Sequence, residues 1–522
     1  MTDNIAEQLP FRPRLPEVYG CKDYRVQRDL FVRINEILEL VGADRRFIRL
    51  SLAQYDSSEQ SEDSRGRLEG KWMPPCCPYS GGGAIKDSWL QHTRCALRVN
   101  IARYLTGSSL RGMSVQLADS ALVRWFCGVN EFGLVKAPSK STVDRYEDWV
   151  DASAIEPLIK EIIQEAAAVN IPNEPNPFGL REPIDLDEAW LDGTCLKANI
   201  HYPTDWVLLR DVSRTLMKAT LLIRKRGLKN RMPQSPEEFL RDMNKLVIKM
   251  TQCRRQKGGA KIRKAVLREM KKLEDRIVRH AKAHREILLE RWEETDLSEA
   301  QAMQIIRRIV RVLEKAPAAI KQAHERIIGE RRVPSKDKIL SLYEPDINVI
   351  VRGKADAEVE FGNVLRLVEQ RQGLIIDWQL HRDPVADNSA EPFAECVGRL
   401  VETTEGKLEK LWTDRGMDSA KNVAKLEAEG IANGICPKSL AAFRKKMAEE
   451  GYAEGQRRRA STEGRIGLFK NNFLGNPMRN KGFESRRRAV AWGVLAHNLW
   501  VIGRLPQAEK EAAGEDPVRE AA

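Results

Sequence analysis

The sequence lacks any run of about 18 uninterrupted apolar residues, the length a helix needs to cross a bilayer, so no transmembrane helix is expected. Its opening, MTDNIAEQLPFRPRLPEVYG, lacks a basic stretch followed by an apolar core, which argues against a secretory signal. Cysteine pairing is lacking too: nine cysteines are scattered, an odd number that fits reduced thiols in a cytoplasm. Cys76 and Cys77 are adjacent, which suits zinc poorly, and no His or Cys partner sits at finger spacing, so they read as loop or core thiols. The run Gly81-Gly82-Gly83 lacks the Gly-Lys-Ser/Thr ending of a phosphate cradle and reads as a flexible turn. His280 and His284 share a helix face at i and i+4, but the Glu that follows the first His in zinc proteases is missing. Both fall on an apolar seam, which makes them structural.

What is present is length and positive charge. At roughly 150 residues per domain, 522 residues suggest three or four domains. Hydrophobic residues make up 42%, enough for real cores, and charged residues 31%, a share typical of long exposed helices. The net charge of +12 favours a polyanionic partner, either nucleic acid or an anionic membrane.

The texture along the chain changes twice. Residues 1–55 read as helical, and DSSEQSEDSRGRLEG (56–70) as a polar loop. The stretch 89–168 is helical again, with MSVQLADSALVRWF (113–126) as one amphipathic helix and a break from Asn130 to Lys140. Ser139 or Ser141 would cap the next helix, STVDRYEDWVDASAIEPLIKEIIQEA. This pair fits either a helix-turn-helix, with Lys140 and Arg145 meeting DNA, or an ordinary helical hairpin.

IDLDEAWLDGTCLKANI (184–200) then reads as strand. Helical texture returns for about 140 residues. Val266, Met270, Leu273, Ile277, His280, His284 and Ile287 follow a coiled-coil spacing. A second helix, capped at Asp296 or Ser298, would stop at Pro317. From about 346, INVIVRGK and EVEFGNVLRLVEQRQGLIIDWQL read as strands with a turn at Gln370 to Gly373. EPFAECVGRLVETT is a helix, LEKLWTD a strand, DSAKNVAKLEAEG a helix closed by Gly430, and IANGICP a strand; the rest is helical to about 505, followed by a polar tail expected to be disordered.

Alternating strands and helices imply a mixed sheet with helices on its faces, and such sheets gather their chemistry at strand ends. Asp192 follows Ala189-Trp190-Leu191, and Asp414 follows Leu411-Trp412-Thr413, so both are expected where a buried strand emerges into a loop. RRRASTEGRIGLFKNNF (457–473) is basic and contains one acid, Glu463; on a helix, Arg459 and Lys470 would share its face. Acids suit phosphodiester cleavage, because two divalent ions about 3.5–4 Å apart activate the nucleophile and stabilise the leaving oxygen. Hard ions of this kind take oxygen ligands. Two cations beside such acids would grip phosphate.

The segments LDGTCLKANIHYPTDWVLL, SLYEPDINVIVRGKADAEVEFG, LWTDRGM, GICPK and RASTEGRIGLFKN together resemble bacterial insertion-sequence transposases of the DDE type, over about 95–505. Arg459, Glu463 and Lys470 match the family signature Tyr, two residues, Arg, three residues, Glu, six residues, Lys; the Tyr position holds Gln456, a departure. The resemblance implies an α/β (α+β) RNase H-like mixed sheet with flanking helices, an all-α N-terminal region and a long α-helical insertion. It implies Asp192, Asp414 and Glu463 as catalytic metal ligands for Mg²⁺ or Mn²⁺ in a two-metal site. Arg459, Lys470, Arg145 and Lys140 would meet DNA. The activity implied is cleavage at element ends and strand transfer into target DNA.

The partners implied are double-stranded DNA and a second subunit, with no membrane, in a bacterial cytoplasm near the nucleoid. The expected domains are 1–180, a helical DNA-binding region; 181–205 with 346–505, the catalytic domain; 206–345, the insertion; and 506–522, the tail. Asp192 and Asp414 lie 222 positions apart, which the insertion accounts for. That insertion would contact DNA or a partner, with Arg254, Arg255, Lys257, Lys261, Arg263 and Lys264 on phosphates, or be a solvated coiled coil. Asp205, Asp377 and Asp387 fit either orienting roles or plain capping, and Arg486-Arg487-Arg488 either DNA contact or surface. A nuclease without strand transfer, and a non-catalytic DNA-binding descendant, are the competing readings.

Overall fold

A computed structural model describes residues 15, 17–60, 76–81, 83–129, 135–169, 176–253, 256–354 and 357–508. Helix takes up residues 56–60 of the expected polar loop; its remainder, 61–70, with Gly82, Gly133, Arg254, Arg255 and residues from 509 of the expected tail, lies outside the described residues. In chain order the helices are α1 (Lys22–Leu40), α2 (Ala43–Gln60), α3 (Asp87–Leu105), α4 (Leu110–Asp119), α5 (Ala121–Cys127), α6 (Lys140–Glu147) and α7 (Ala152–Ala166). Strand β1 (Glu188–Lys197) precedes α8 (Asp205–Lys225), α9 (Pro236–Gln252), α10 (Gly259–Arg291) and α11 (Glu299–Ala323). Then come β2 (Asn348–Lys354), β3 (Ala357–Gln370), β4 (Ile375–His381), α12 (Ala390–Thr403), β5 (Lys410–Thr413), α13 (Ala420–Ala428) and β6 (Ala432–Ile435). Helices α14 (Leu440–Met447), α15 (Tyr452–Leu468) and α16 (Phe483–Ile502) complete the chain.

The architecture is mixed α/β, with six strands in one mixed sheet in the order β2-β3-β1-β5-β6, and β4 also pairing β3. The pairs β1–β5 and β5–β6 are parallel, whereas β3–β4 and β2–β3 are antiparallel. Parallel neighbours need a crossover, and α13 supplies it between β5 and β6.

Internal contacts divide the chain into two units: Met1–Lys197 with Val364–His381 and Val385–Ala522, and Ala198–Asn363 with Arg382–Pro384. In the first, the N-terminal helices and the sheet share one core that runs from Phe31 to Ile502. Helix α16 runs through it almost wholly buried, with the Trp492 indole donating to the Glu147 carbonyl at 3.2 Å. Arg486 and Arg488 are buried with it, and Arg488 pairs with Asp148 at 2.6 Å. Arg486 and Arg488 are therefore internal ties, while the half-exposed Arg487 pairs with Glu156 at 3.5 Å.

Local capping explains three departures from the expected helices. The stretch 113–126 is two helices, because the Ser120 hydroxyl accepts from the Val123 amide and starts α5. Ser139 caps α6, and the long helix expected after it breaks where the Asp151 carboxylate caps α7. Helix α11, begun by a capping box at Ser298 and Gln301, continues through Pro317 to Ala323. Burial of Ala316, Ala319 and Ala323 around and beyond the proline outweighs the lost hydrogen bond.

The second unit packs α8, α9, α10 and α11 around one core, where two helices were expected. On α10 the buried positions include Val266, Met270, Leu273, Ile277, Ala281, His284 and Leu288, a drift away from a strict heptad. His284 is buried and held by the His280 carbonyl at 2.7 Å and by Arg224 at 3.3 Å, while His280 packs against the Phe239 ring.

Glu274 sits in this core with Ser213 hydrogen-bonded to one carboxyl oxygen and no partner on the other. Burial pushes its carboxyl up to about 8 from 4.5, against the lowering effect of Ser213. The folded chain therefore keeps a proton that the unfolded chain releases above its ordinary carboxyl range. The associated stability is full below that range and is lost as pH rises through the folded value. Glu274→Gln should melt like the parent near pH 4 and be more stable at pH 8, by on the order of a few kcal/mol. Denaturant curves at the two pH values check this; an equal shift at both would contradict it.

Candidate active site

The site begins with two strands that are apolar where they pair. The register places Trp190 beside Trp412 and Leu191 beside Thr413 on strands about 4.8 Å apart, and Asp192 and Asp414 each come one residue after the last of these pairs. Asp414 follows the end of β5, as expected, in extended backbone with φ −77° and ψ 176°. Asp192 does not sit at a strand end: β1 continues to Lys197. The strand outlasts its partner β5 because its other edge faces β3.

Residues two apart on a strand share a face, so the tryptophans mark the face that carries the acids. Helix α15 covers it. Trp190, Trp412 and Tyr452 form a buried cluster, and the Trp190 indole donates to the Gly455 carbonyl at 3.0 Å. Gly455 makes the approach possible, since a Cβ there would lie 2.2 Å from the Trp412 ring. Gln456 donates to the Gly434 carbonyl at 3.0 Å, so this residue ties α15 to β6.

Four residues beyond Gly455, about 6 Å along the helix, comes Arg459, and one turn later Glu463. Both charges act on Asp192, as does that of Asp414. The Asp192 carboxyl is pushed up to about 6, chiefly by burial and then by the negative charges of Asp414 and Glu463. The Gly193 amide, 2.8 Å from its Oδ1, and Arg459 oppose that shift. Asp414 Oδ1 accepts from the Met417 amide at 3.3 Å. Lys470, in the π-helical turn Phe469–Leu474, donates to the Thr194 hydroxyl at 2.9 Å, two residues beyond Asp192 on β1. The structure thus brings together Asp192, Asp414, Glu463, Arg459 and Lys470.

Asp387 joins them. A Cβ on Gly416 would lie 2.9 Å from Asp387 Oδ2 and 3.1 Å from Asp414 Oδ1, and one on Gly193 would lie 3.7 Å from Asp387 Oδ1. Its carboxylate therefore stands over the two glycines that flank the aspartate pair. Asp377 and Asp205 do structural work instead. Asp377 is held by both arms of Arg399 at 2.8 Å, and Asp205, in the second unit, accepts from Gln322 and Arg326. Nothing in the spacing distinguishes these three acids; the glycines at 193 and 416 were the only available sign.

Lys140 and Arg145 lie on the exposed side of α6, where Lys140 pairs with Asp144 and Arg145 donates to Thr142. In the second unit Lys264 pairs with Glu330 at 2.7 Å, and Lys257 and Lys261 are exposed. Cys76 and Cys77 are exposed thiols.

No family model, no curated protein and no solved structure matches the chain. No helix among the described residues is long and apolar enough to cross a membrane.

The donor set suits a hard divalent cation: four carboxylates, two of them half-buried and two exposed, open toward solvent. Among the described residues no three acid, His or Cys side chains are yet drawn tightly enough to hold an ion. A cation among these carboxylates would offset the like charges of Asp414 and Glu463 that help raise the Asp192 pKa.

Proposed function

We propose that the chain is a DDE-type transposase: an RNase H-like domain that cuts DNA at the ends of its element and transfers the strand into a target. The observation that carries this reading is that Asp192 and Asp414 each follow directly on the paired residues Leu191 and Thr413, under a helix whose Arg459 and Glu463 act on Asp192. The order of elements supports the RNase H-like assignment, with the acids on the first strand, after a later parallel strand, and on a C-terminal helix.

Asp192, Asp414 and Glu463 would hold two Mg²⁺ or Mn²⁺ ions. Such ions activate water or a 3′-hydroxyl and stabilise the departing oxygen. Arg459 and Lys470 flank the carboxylates and would pair with the phosphates on either side of the scissile bond. Lys140 and Arg145 on α6 would meet DNA away from the chemistry, and bringing two ends together would require at least two copies of the chain.

The test uses the DNA that flanks the gene on both sides, incubated with the full chain, Mg²⁺ and a target plasmid. Cleavage at inverted repeats followed by joined products is the expected result. Cleavage that never leads to joining would leave a nuclease, and salt-sensitive binding with no chemistry would leave a DNA-binding protein. Arg459→Ala and Lys470→Ala should each weaken binding to those ends across sequences and reduce the salt slope of binding by about 1. A filter-binding series in KCl reads this, and an unchanged slope would remove both residues from the phosphate path.

A further inference from the structure

We infer that Asp387 is a fourth carboxylate of the metal site, which rests on the reading of Asp192, Asp414 and Glu463 as metal ligands. Its oxygens border the points where side chains at Gly193 and Gly416 would begin, and Asp414 Oδ1 borders the second of these as well. The two glycines directly follow or nearly follow the two aspartates, so the space a side chain would fill is the space through which Asp387 reaches them.

The segment that carries Asp387 is built rather than loose. Arg366, on β3, is 1% exposed, and its Nη2 donates to the Ala386 and Asp387 carbonyls at 2.9 and 3.0 Å. Its Nε and Nη1 are buried with no hydrogen-bond partner. Asp387 and Asp414 both act on this guanidinium, which places it beside the acidic cluster. A buried, half-satisfied arginine is costly, and here it fixes the backbone of one acid while facing the charge of two. Arg366 is a positioning residue, and Asp387 is the group it positions. A fourth oxygen donor at the exposed rim would complete one ion's shell while leaving positions open for substrate phosphate.

The experiment titrates Mn²⁺ into the full chain and reads free Mn²⁺ by electron paramagnetic resonance, with no DNA present. The parent is compared with Asp387→Asn, Asp192→Ala and Gly416→Ala, each checked by melting in EDTA. Asp387 is exposed, so Asp387→Asn should melt like the parent and bind Mn²⁺ at least about 10-fold more weakly. Gly416→Ala keeps every carboxylate but crowds Asp387 and Asp414, and should weaken Mn²⁺ as well. Parent-like Mn²⁺ affinity in Asp387→Asn, with loss in Asp192→Ala, would overturn the role of Asp387 and leave the triad standing. No Mn²⁺ binding by the parent, or equal binding by Asp192→Ala, would overturn both.

Discussion

Asp192→Ala should lose at least about 1000-fold in metal-dependent DNA cleavage, the scale on which removal of one member of a catalytic unit is felt. The same substitution should not harm the fold. Asp192 is half-buried, and its carboxyl is pushed up to about 6 by burial and by two like charges, against the opposing Gly193 amide and Arg459. Removing it relieves repulsion with Asp414 and Glu463, so the melting temperature in EDTA should stay level or rise. Loss of activity together with retained or increased stability marks a residue kept for chemistry rather than for folding. Cleavage assays beside thermal melts check this; a variant that both unfolds and loses activity would make Asp192 a structural residue.

The second large effect is expected at a position with no charge at all. Gly455→Ala would place a methyl 2.2 to 2.5 Å from three carbons of the Trp412 indole. Trp412 is 1% exposed, packed against Tyr452, and its indole nitrogen donates to Glu188 at 3.1 Å. The ring cannot withdraw without breaking these contacts, so α15 must lift instead. Overpacking of this kind costs about 1–3 kcal/mol or more, against about 1 kcal/mol regained in helix propensity. Lifting α15 also carries Arg459 and Glu463 away from Asp192, so cleavage should fall far more than stability. Gly464→Ala on the same helix meets nothing within 4 Å and should be neutral or slightly stabilising. Urea midpoints and cleavage rates of the two variants check this, and equal behaviour would mean that α15 is not seated on Trp412.

Much of this site was legible in the sequence because its parts are local. The apolar triplets before Asp192 and Asp414 are short buried strands, and the spacing of Arg459, Glu463 and Lys470 survives folding because one helix and the turn after it carry them. What was not legible depends on tertiary pairing. Asp192 looked like a strand end because Gly193 follows it, yet β1 runs on beside β3. Asp387 could not be separated from Asp377, since only the partner decides: Arg399 neutralises one, and the flanking glycines admit the other. The N-terminal helices read as a region of their own, although their apolar faces close the same core as the sheet. Pro317 suggested a stop, but the burial of Ala319 and Ala323 beyond it was invisible from spacing alone.

The most direct test of the proposed two-metal site is a crystal of the full chain soaked in Mn²⁺, with anomalous difference maps recorded at the manganese edge. Two peaks about 3.5–4 Å apart among Asp192, Asp414 and Glu463 are the expected result. No peak at these carboxylates, with ordered manganese elsewhere in the chain, would contradict it.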